Sequence, residues 1–388
     1  MFFFITFILY IFINIYLFTR LFSALEGYGA LRSIVCAVLL IFALSFPASR
    51  LLDAWLPHKA SVVLFITGSL YFAPMVYCFL LTLLSDLFRF INYHFAVIRM
   101  SSPYRRTSRF GFVILIIGAS LAITAAGAIN ARMPAVISRD AEWKGGPDAT
   151  ERGIKIAFLS DIHIGIFNGA EHLARVLDTL RPLSPDIILL GGDIIDDIGW
   201  MENDVRAKDI RELLRSLKPR LGVWAVPGNH EYYAGLEACV SFLRESGVHV
   251  LMDDWASPGR ELLLIGRDDF TVNRRGGKRA SVSEIFETAL GAMGGAAKDL
   301  PLVILDHQPI GLGEARDANA ALQLSGHTHR GQLFPANLMV AMMYEKSYGL
   351  YRKDGTVFYI SSGAGTWGAP VRTSGRPEAV IVNLKITP

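Results

Sequence analysis

The segment Ile156-Ala157-Phe158-Leu159-Ser160-Asp161-Ile162-His163 carries the pattern from which the fold of this chain can be predicted. Its apolar run is typical of a buried strand, and the run ends in a polar loop. Asp161 and His163 are two positions apart, so in an extended chain both lie on the same side, just beyond the strand. A carboxylate and an imidazole together suit a divalent cation such as Mn, Fe or Zn. The pair alone has a plain alternative, because any strand can run out into a polar loop.

Four later segments repeat this arrangement of an apolar run followed by polar residues. The runs end at Gly191-Gly192-Asp193, Pro227-Gly228-Asn229-His230-Glu231, Asp306-His307 and Gly326-His327-Thr328-His329. Open α/β sheets bind their ligands at the carboxyl ends of the strands, so we expect the polar clusters to meet at one edge. They supply more oxygen and imidazole donors than one cation needs, which favours two cations that share a bridging ligand.

The ordered motifs Asp-x-His, Gly-Asp, Gly-Asn-His-Glu, His and Gly-His-x-His resemble those of the calcineurin-like metallophosphoesterases, in particular of a membrane-anchored bacterial type. The resemblance covers 151–388, and all five motifs are intact. It implies two sets of metal ligands bridged by a shared aspartate. The first set is Asp161, His163, Asp193 and His329, and the second set is Asp193, Asn229, His307 and His327. It also implies that His230 is not a ligand but assists catalysis, by stabilising the transition state or protonating the leaving oxygen.

The physical chemistry of such a site agrees with the resemblance. Two cations about 3.5–4 Å apart hold a phosphoryl group and lower the pKa of a water molecule, so that a nucleophile is available near neutral pH. A cationic His230 would help to stabilise the charge that builds on the phosphoryl oxygens. Asp253 and Asp254 are candidates for orienting this histidine, although no motif ties them to it. Arg330 is a candidate phosphate contact, with a solvated surface arginine as the alternative.

Four further polar residues lie near the motifs without a role in them: Asp196, Asp197, Asn168 and His172. For each of them an ordinary structural or solvated position is at least as good an explanation as a functional one.

The N-terminal third of the chain is predicted to be a transmembrane region. No charged side chain occurs in 1–19, 33–49, 60–85 or 110–131, and the mean hydropathy of the whole chain is +0.37. A membrane span needs roughly 20 apolar residues, with a lower limit near 17. We therefore expect an all-α bundle of four transmembrane helices over 1–131, the second of which is cut short by Pro47. A cleaved signal peptide is the alternative for the first, but the basic start and the small-residue cleavage site are missing.

The loops between the spans predict an orientation. The third loop contains Arg89, Arg99, Arg105, Arg106 and Arg109, and the first loop contains Arg20 and Arg32. Positively charged loops stay in the cytoplasm, so we expect a multi-pass protein of the inner membrane. Both termini and the segment 151–388 would then lie on the extracytoplasmic side.

The remainder of the chain divides into a linker at 132–150 and a domain at 151–388. Helices are predicted at 170–180, 203–217, 236–244 and 281–293, and late strands at 356–361 and 379–386. Early alternation of strands and helices followed by late strands favours two packed sheets flanked by helices, an α/β (α+β) fold. The resemblance implies the same four-layer αββα sandwich.

Charge and cysteine content exclude some classes of partner and of stabilisation. The net charge of +3 is concentrated near the membrane region, where it favours anionic lipids. No basic stripe interleaved with aromatic residues occurs, so no nucleic-acid partner is expected. The cysteines Cys36, Cys78 and Cys239 suggest neither a disulfide nor a zinc site.

The apolar segment Leu333–Tyr344 follows the last motif and bears on the substrate. It is expected either to form an exposed lip that holds a lipid tail or dips into the bilayer, or to be a buried strand or helix of the second sheet.

The sequence therefore predicts a membrane-anchored, two-metal hydrolase of a phosphate ester, with a phosphodiester or pyrophosphate of a lipid or of the cell envelope as substrate. The alternative from another class is a transport or sensing membrane protein with a regulatory phosphoesterase domain. The spans contain almost no ionisable residues, which argues against a transport pathway. A catalytically dead binding module is disfavoured because every ligand position is filled.

Overall fold

The computed structural model of the chain describes residues 2–95, 105–145, 150–199 and 206–388. These residues form two compact units. The first unit comprises the chain up to Ile129 together with Gly368–Val371, and the second comprises Asn130–Trp367 and Arg372–Pro388.

The first unit is built of long apolar helices: α1 (Phe2–Ala24), α2 (Gly29–Leu51), α3 (His58–Phe95) and α4 (Arg105–Asn130). Each contains a stretch that is long and apolar enough to cross a membrane, at Thr6–Ala24, Gly29–Leu51, His58–Phe95 and Phe110–Asn130. Large apolar side chains are exposed along all of these helices, as expected for surfaces that face lipid.

Helix α2 continues through Pro47, so the expectation that this proline cuts the helix short is wrong. A proline inside a helix leaves the carbonyl four residues earlier without its backbone donor. Here that carbonyl belongs to Ala43, and it accepts a hydrogen bond of 2.7 Å from the Tyr10 hydroxyl of α1. A neighbouring helix thus satisfies the freed group, which allows the proline to be tolerated.

The second unit contains two six-stranded sheets. The first consists of β1 (Ala135–Lys144), β2 (Arg152–Leu159), β3 (Ile187–Gly191), β4 (Val223–Val226), β5 (His249–Val250) and β12 (Glu378–Thr387). Their order is β1-β12-β2-β3-β4-β5, with β2 to β5 parallel and β12 antiparallel to β2.

The second sheet consists of β6 (Asp254–Ala256), β7 (Leu263–Gly266), β8 (Leu302–Leu305), β9 (Leu322–Ser325), β10 (Gly349–Lys353) and β11 (Thr356–Ile360). Their order is β10-β11-β9-β8-β7-β6, in which β7, β8, β9 and β11 are parallel and the two edge strands are antiparallel.

The helices of the second unit lie along and between the strands. They are α5 (Ala170–Leu180), α6 (Arg206–Arg215), α7 (Asn229–Ala234), α8 (Leu236–Glu245), α9 (Thr271–Arg274), α10 (Val282–Met293), α11 (Gly313–Asp317) and α12 (Ala336–Met343). The predicted helices at 170–180, 203–217, 236–244 and 281–293 correspond to α5, α6, α8 and α10, although 203–205 lie outside the described residues.

Three apolar cores separate four layers. Alternate residues of β2 divide between two of them: Ile156 and Phe158 pack between the sheets, whereas Ala157 and Leu159 pack against α5, α6 and α8. A third core joins the outer face of the second sheet to α10 and α11. This alternation follows from the two-residue period of a strand, and it confirms the four-layer αββα sandwich.

The segment 132–150 is not the linker that was expected. Residues 135–144 form β1, which pairs in parallel with β12 over ten residues, from Ala135 opposite Glu378 to Lys144 opposite Thr387. The alternation in this strand is weak because most of its side chains are exposed, and only Ala141 is fully buried.

The apolar segment after the last motif forms the helix α12, none of whose residues is buried. Leu338, Met339, Met342 and Met343 are each more than half exposed. The interpretation as a buried strand or helix is therefore wrong, and the exposed alternative agrees with the structure.

Candidate metal centre

The five motifs meet at one edge of the two sheets, where the parallel strands end. Asp161 and His163 follow β2, Asp193 follows β3, and His307 follows β8. Asn229 and His230 begin α7 after β4, whereas His327 and His329 follow β9. The structure thus brings together all of the predicted site residues, although they are spread over about 170 positions of the sequence.

The backbone at this edge is strained. Five of the seven expected ligands have φ between +49° and +68°, in the left-handed region: Asp161, His163, Asp193, His327 and His329. Non-glycine residues rarely adopt this conformation, and it costs about 1–3 kcal/mol per residue where the surroundings enforce it. Such strain concentrates at functional sites, so the backbone conformation also supports a functional site at this edge of the sheets.

Two motif glycines leave space that the carboxylates occupy. A Cβ at Gly326 would collide with the carboxylate of Asp161, and a Cβ at Gly228 would collide with that of Asp193. The motifs require glycine here because the backbone of one loop approaches the ligand of the next.

One group of donors consists of Asp161, His163 and His329, whose ligating atoms lie within 4.8 Å of one another. The Nε2 atoms of the two histidines are 2.9 Å apart, and His329 Nε2 lies 3.4 Å from Asp161 Oδ1. His163 Nδ1 is hydrogen bonded to Asp196, which leaves its Nε2 lone pair for a cation. Imidazole and carboxylate donors that converge in this way fit a divalent cation.

A second group consists of Asp193, His307 and His327, again with ligating atoms within 4.8 Å of one another. His307 Nδ1 donates to the carbonyl of Gly191 at 2.8 Å, so Nε2 faces the Asp193 carboxylate at 3.1 Å. Asn229 Oδ1 is buried and has no hydrogen-bond partner among the described residues. A buried carbonyl oxygen without a donor is costly, and a cation would satisfy it.

Asp193 lies between the two groups. It shares one cluster with His307 and His327 and another with His163 and His230. Burial raises the pKa of its carboxyl, but the neighbouring histidines, led by His307, hold the pKa well below its usual range. An ionised carboxylate within reach of both groups suits the bridging position.

His230 is fixed by Asp196 rather than by Asp253 or Asp254. Its Nδ1 is hydrogen bonded to Asp196 Oδ1, and its Nε2 lies 4.0 Å from Asp193 Oδ2. Burial lowers the pKa of His230, but the charges of Asp193 and Asp196 outweigh this effect and raise it to about 9. At neutral pH His230 therefore carries a proton at Nε2, on the side of the ring that faces the Asp193 carboxylate.

The two aspartates considered from the sequence have other partners. Asp253 accepts hydrogen bonds from the backbone N–H groups of Asp268 and Ala280, and Asp254 accepts one from Trp255. The hypothesis that either orients His230 is wrong. Asp196, to which the sequence assigned no role, holds both His163 and His230.

Glu231 is a second residue whose role sequence reasoning missed. Its buried carboxylate accepts four backbone hydrogen bonds, from Asp193, Ile194, Ile195 and Gly228, at 2.7–3.0 Å. It thereby joins the loop that carries Asp193 to the loop that carries Asn229. Its position in the Gly-Asn-His-Glu motif was the only signal available in the sequence.

Arg372 is a third such residue, and it is only 1% exposed. Its Nη2 lies 3.0 Å from His329 Nδ1, and its Nε donates to the carbonyl of Gly365 at 3.0 Å. Burial lowers the pKa of this guanidinium to about 10, so it stays charged at neutral pH. A cation beside His329 helps to keep that imidazole neutral, as a metal ligand must be.

The remaining candidates have structural positions. Asn168 donates to the carbonyls of His163 and Thr366, and His172 donates to that of Ala364 at 2.9 Å. Arg330 is exposed, and its guanidinium stacks 4.4 Å from the Tyr348 ring centroid.

Comparison with known proteins identifies the family to which the second unit is similar. Residues 154–331 match the model of the calcineurin-like phosphoesterase family. An "uncharacterized metallophosphoesterase" of Aquifex aeolicus (strain VF5) is 33% identical over 241 residues, which cover 62% of this chain and 87% of that protein. The "transmembrane protein with metallophosphoesterase domain" of Danio rerio is 32% identical over 298 residues, covering 74% of this chain and 64% of that protein.

A third relative, an "uncharacterized metallophosphoesterase" of Helicobacter pylori (strain J99 / ATCC 700824), is 32% identical over 239 residues, which cover 61% of each chain. This chain belongs to the calcineurin-like metallophosphoesterases, which confirms the family expected from the motifs. It spans less than two thirds of the length of the Helicobacter pylori and Danio rerio relatives.

Proposed function

We propose that the second unit hydrolyses a phosphodiester or pyrophosphate bond with the help of two divalent cations. One cation would be held by Asp161, His163, Asp193 and His329, and the other by Asp193, Asn229, His307 and His327. The observation that carries the proposal is the convergence of these side chains on one strained edge, in two groups that meet at Asp193. The mixture of imidazole and oxygen donors supports Mn, Fe or Zn.

When bound, the cations would supply Lewis-acid stabilisation of the phosphoryl oxygens and a water of lowered pKa. The chain contributes the positions of the ligands and of His230. Because Asp196 holds Nδ1 of His230, the proton at Nε2 is directed toward the space beside Asp193. As a general acid, His230 would donate this proton to the leaving oxygen. Alternatively, it would keep the proton and donate a hydrogen bond to the phosphoryl oxygens on which negative charge develops.

The membrane helices support a substrate in or near a bilayer. Anchoring the site beside the membrane raises the effective concentration of membrane-bound substrates over soluble ones. We therefore propose a lipid-linked or envelope-linked phosphate ester. The arginine-rich third loop supports a multi-pass arrangement in the inner membrane with the metal centre on the extracytoplasmic side.

The test is metal analysis and a substrate panel on the purified full chain. We expect about two cations per chain, and hydrolysis of phosphodiester or lipid substrates in preference to phosphomonoesters. Asp193→Asn removes the bridging charge and should lose both metal and nearly all activity, whereas the exposed Asp178→Asn should behave as the wild type. Two bound cations and near-normal turnover in Asp193→Asn would overturn the assignment.

A further inference from the structure

The exposed apolar surface of the second unit is concentrated on α12 and the residues before it. Phe334 is 52% exposed, Leu338 56%, Met339 59%, Met342 80% and Met343 64%. Proteins seldom leave such contiguous apolar surface in water unless it binds a partner or a membrane. We therefore expect the exposed face of α12 to be covered by a membrane or by another protein.

This helix adjoins the metal centre at both of its ends. The turn His329–Gly331 precedes it, and a Cβ at Gly331 would collide with the backbone of Asn337. At the other end, the Tyr344 ring lies 6.3 Å from the ring of His327. An occupant of the helix surface is thus beside the two C-terminal histidine ligands.

The loop 372–375 contacts the residue at which the last candidate span ends. Asn130 ends that span, and its side-chain amide donates to the carbonyls of Arg372 and Gly375, at 3.0 and 2.8 Å. Only the four residues 131–134 separate it from β1. The loop 372–375 is therefore tied to the residue at which the last candidate span ends.

The same loop carries the start of α12. The Gln332 carbonyl accepts hydrogen bonds from the N–H groups of Thr373 and Ser374, at 2.9 and 3.2 Å. Thr373 Oγ1 accepts a third, from the N–H of Phe334, at 2.9 Å. The N-terminal end of α12 is in this way fixed to the loop 372–375, which Asn130 also contacts.

Trp367 extends the apolar surface toward His230. The Gln332 side chain holds it at both backbone groups, accepting from its N–H at 2.9 Å and donating to its carbonyl at 2.8 Å. The Trp367 side chain nevertheless stays 52% exposed, with its ring 6.0 Å from that of His230. Exposed tryptophan side chains are enriched at the boundary between lipid headgroups and acyl chains, because the ring is apolar and its N–H is polar.

An exposed positive charge lies between the ligands and the helix. Arg330 directly follows His329, and the described residues offer its guanidinium no carboxylate partner. Arginine at a membrane surface attracts anionic headgroups and binds phosphate.

We propose that α12, Phe334 and Trp367 insert into the headgroup–acyl boundary of the bilayer that the spans cross, so that the metal centre takes its phosphate from a phospholipid of that same bilayer. This assignment of the substrate rests on the proposed function, whereas the insertion of α12 is measured independently of it. The proposed occupant of the surface is lipid, and the test below distinguishes lipid from a second copy of the chain.

The insertion is tested on the full chain in vesicles of equal parts phosphatidylcholine and phosphatidylglycerol. A single cysteine replaces Met342 after Cys36, Cys78 and Cys239 have been changed to alanine, and it carries a spin label. We expect the label to be more accessible to oxygen than to a water-soluble nickel chelate. The control is Ser283→Cys, on the exposed face of α10, where the opposite preference is expected.

The substrate is tested with two matched triple variants. Replacing Met339, Met342 and Met343 by serine should lower hydrolysis of vesicle phospholipid about tenfold or more, while a small soluble phosphodiester is cleaved at the wild-type rate. The leucine triple variant at the same positions keeps the apolar surface and should retain both activities.

Three outcomes would overturn the inference. They are a Met342 label as accessible to the chelate as the Ser283 label, dipolar coupling between Met342 labels of two copies, and equal losses on both substrates in the serine variant. Failure of the proposed function has a different signature, because the wild type would then cleave neither substrate.

Discussion

His230 and His163 are held by one and the same oxygen, Oδ1 of Asp196. The two rings lie 4.6 Å apart and nearly perpendicular, at 87°. His163 thereby turns Nε2 toward Asp161 and His329, whereas His230 turns Nε2 toward Asp193. A single carboxylate thus couples the orientation of an expected metal ligand to that of the expected acid.

Removing His230 should separate chemistry from metal binding. We expect His230→Ala to retain about two cations per chain and to lose roughly 10²–10⁴ in rate, because it removes an acid and leaves the ligands in place. Metal analysis and turnover per loaded site measure the two effects. Loss of metal with unchanged turnover per loaded site would identify His230 as a ligand instead.

Removing the charge of Asp196 should affect both histidines. In Asp196→Asn, His163 loses the partner that orients it, so metal affinity should fall about 10–100-fold. Turnover at saturating metal should also fall, since His230 loses its orienting partner. Titration with metal followed by kinetics measures both, with the exposed Asp178→Asn as control. Unchanged affinity and turnover would show that the shared oxygen has no role.

Arg372 should matter for one cation more than for the other. Its guanidinium contacts His329 and no ligand of the second group. We expect Arg372→Met to weaken the cation at Asp161 and His163 about 10–100-fold, so that the measured stoichiometry falls from about two toward about one. Arg376→Met, which removes an exposed guanidinium, is the control. Equal loss of both cations would point to general unfolding of the site.

His172 should make the stability of the second unit depend on pH. Burial lowers its folded-state pKa from 6.5 to about 4. As the pH falls, His172 is therefore protonated at a higher pH in the unfolded chain than in the folded one. The free energy of unfolding consequently decreases as the pH falls from 6.5 toward 4. The loss amounts to about 3 kcal/mol at most.

The comparison that isolates this effect is His172→Gln, which keeps a donor for the Ala364 carbonyl. Thermal unfolding of the full chain, followed over this pH range, should show a smaller loss of melting temperature in the variant. Parallel curves for variant and wild type would show that His172 does not contribute.

The orientation of the chain is tested by fusions after Pro388. Alkaline phosphatase should be active there, and a fluorescent protein that matures only in the cytosol should stay dark, because the proposed orientation places the arginine-rich third loop in the cytoplasm and Pro388 outside it. The reverse pattern would place the metal centre in the cytoplasm and favour a lipid-nucleotide pyrophosphate as substrate.

The sequence was sufficient for the sandwich and for the convergence of the motifs, because both follow from local patterns. An apolar run that ends in Asp-x-His or Gly-Asp predicts a strand and places its polar residues at the strand's end. Helix α5 was predicted with its observed bounds, because apolar residues recur along it at helical spacing.

Asp196 and Arg372, whose roles sequence reasoning missed, act through contacts with residues that are distant in the sequence. Asp196 lies three positions after a motif, and its role depends on two histidines from other loops. Arg372 reaches His329 across 43 positions. Strand β1 pairs with a partner more than 200 positions away, and its exposed side chains give little alternation to detect.

The pairing of β1 with β12 also decides where the second unit can be separated from the candidate spans. A fragment that begins at residue 151 would uncover one whole edge of β12, a strand whose Val380, Val382 and Leu384 face the apolar core. Long uncovered edges of this kind recruit strands of other molecules and lead to aggregation. A soluble fragment must therefore begin before Ala135, within a few residues of the last candidate span, so that almost no dispensable segment separates that span from β1.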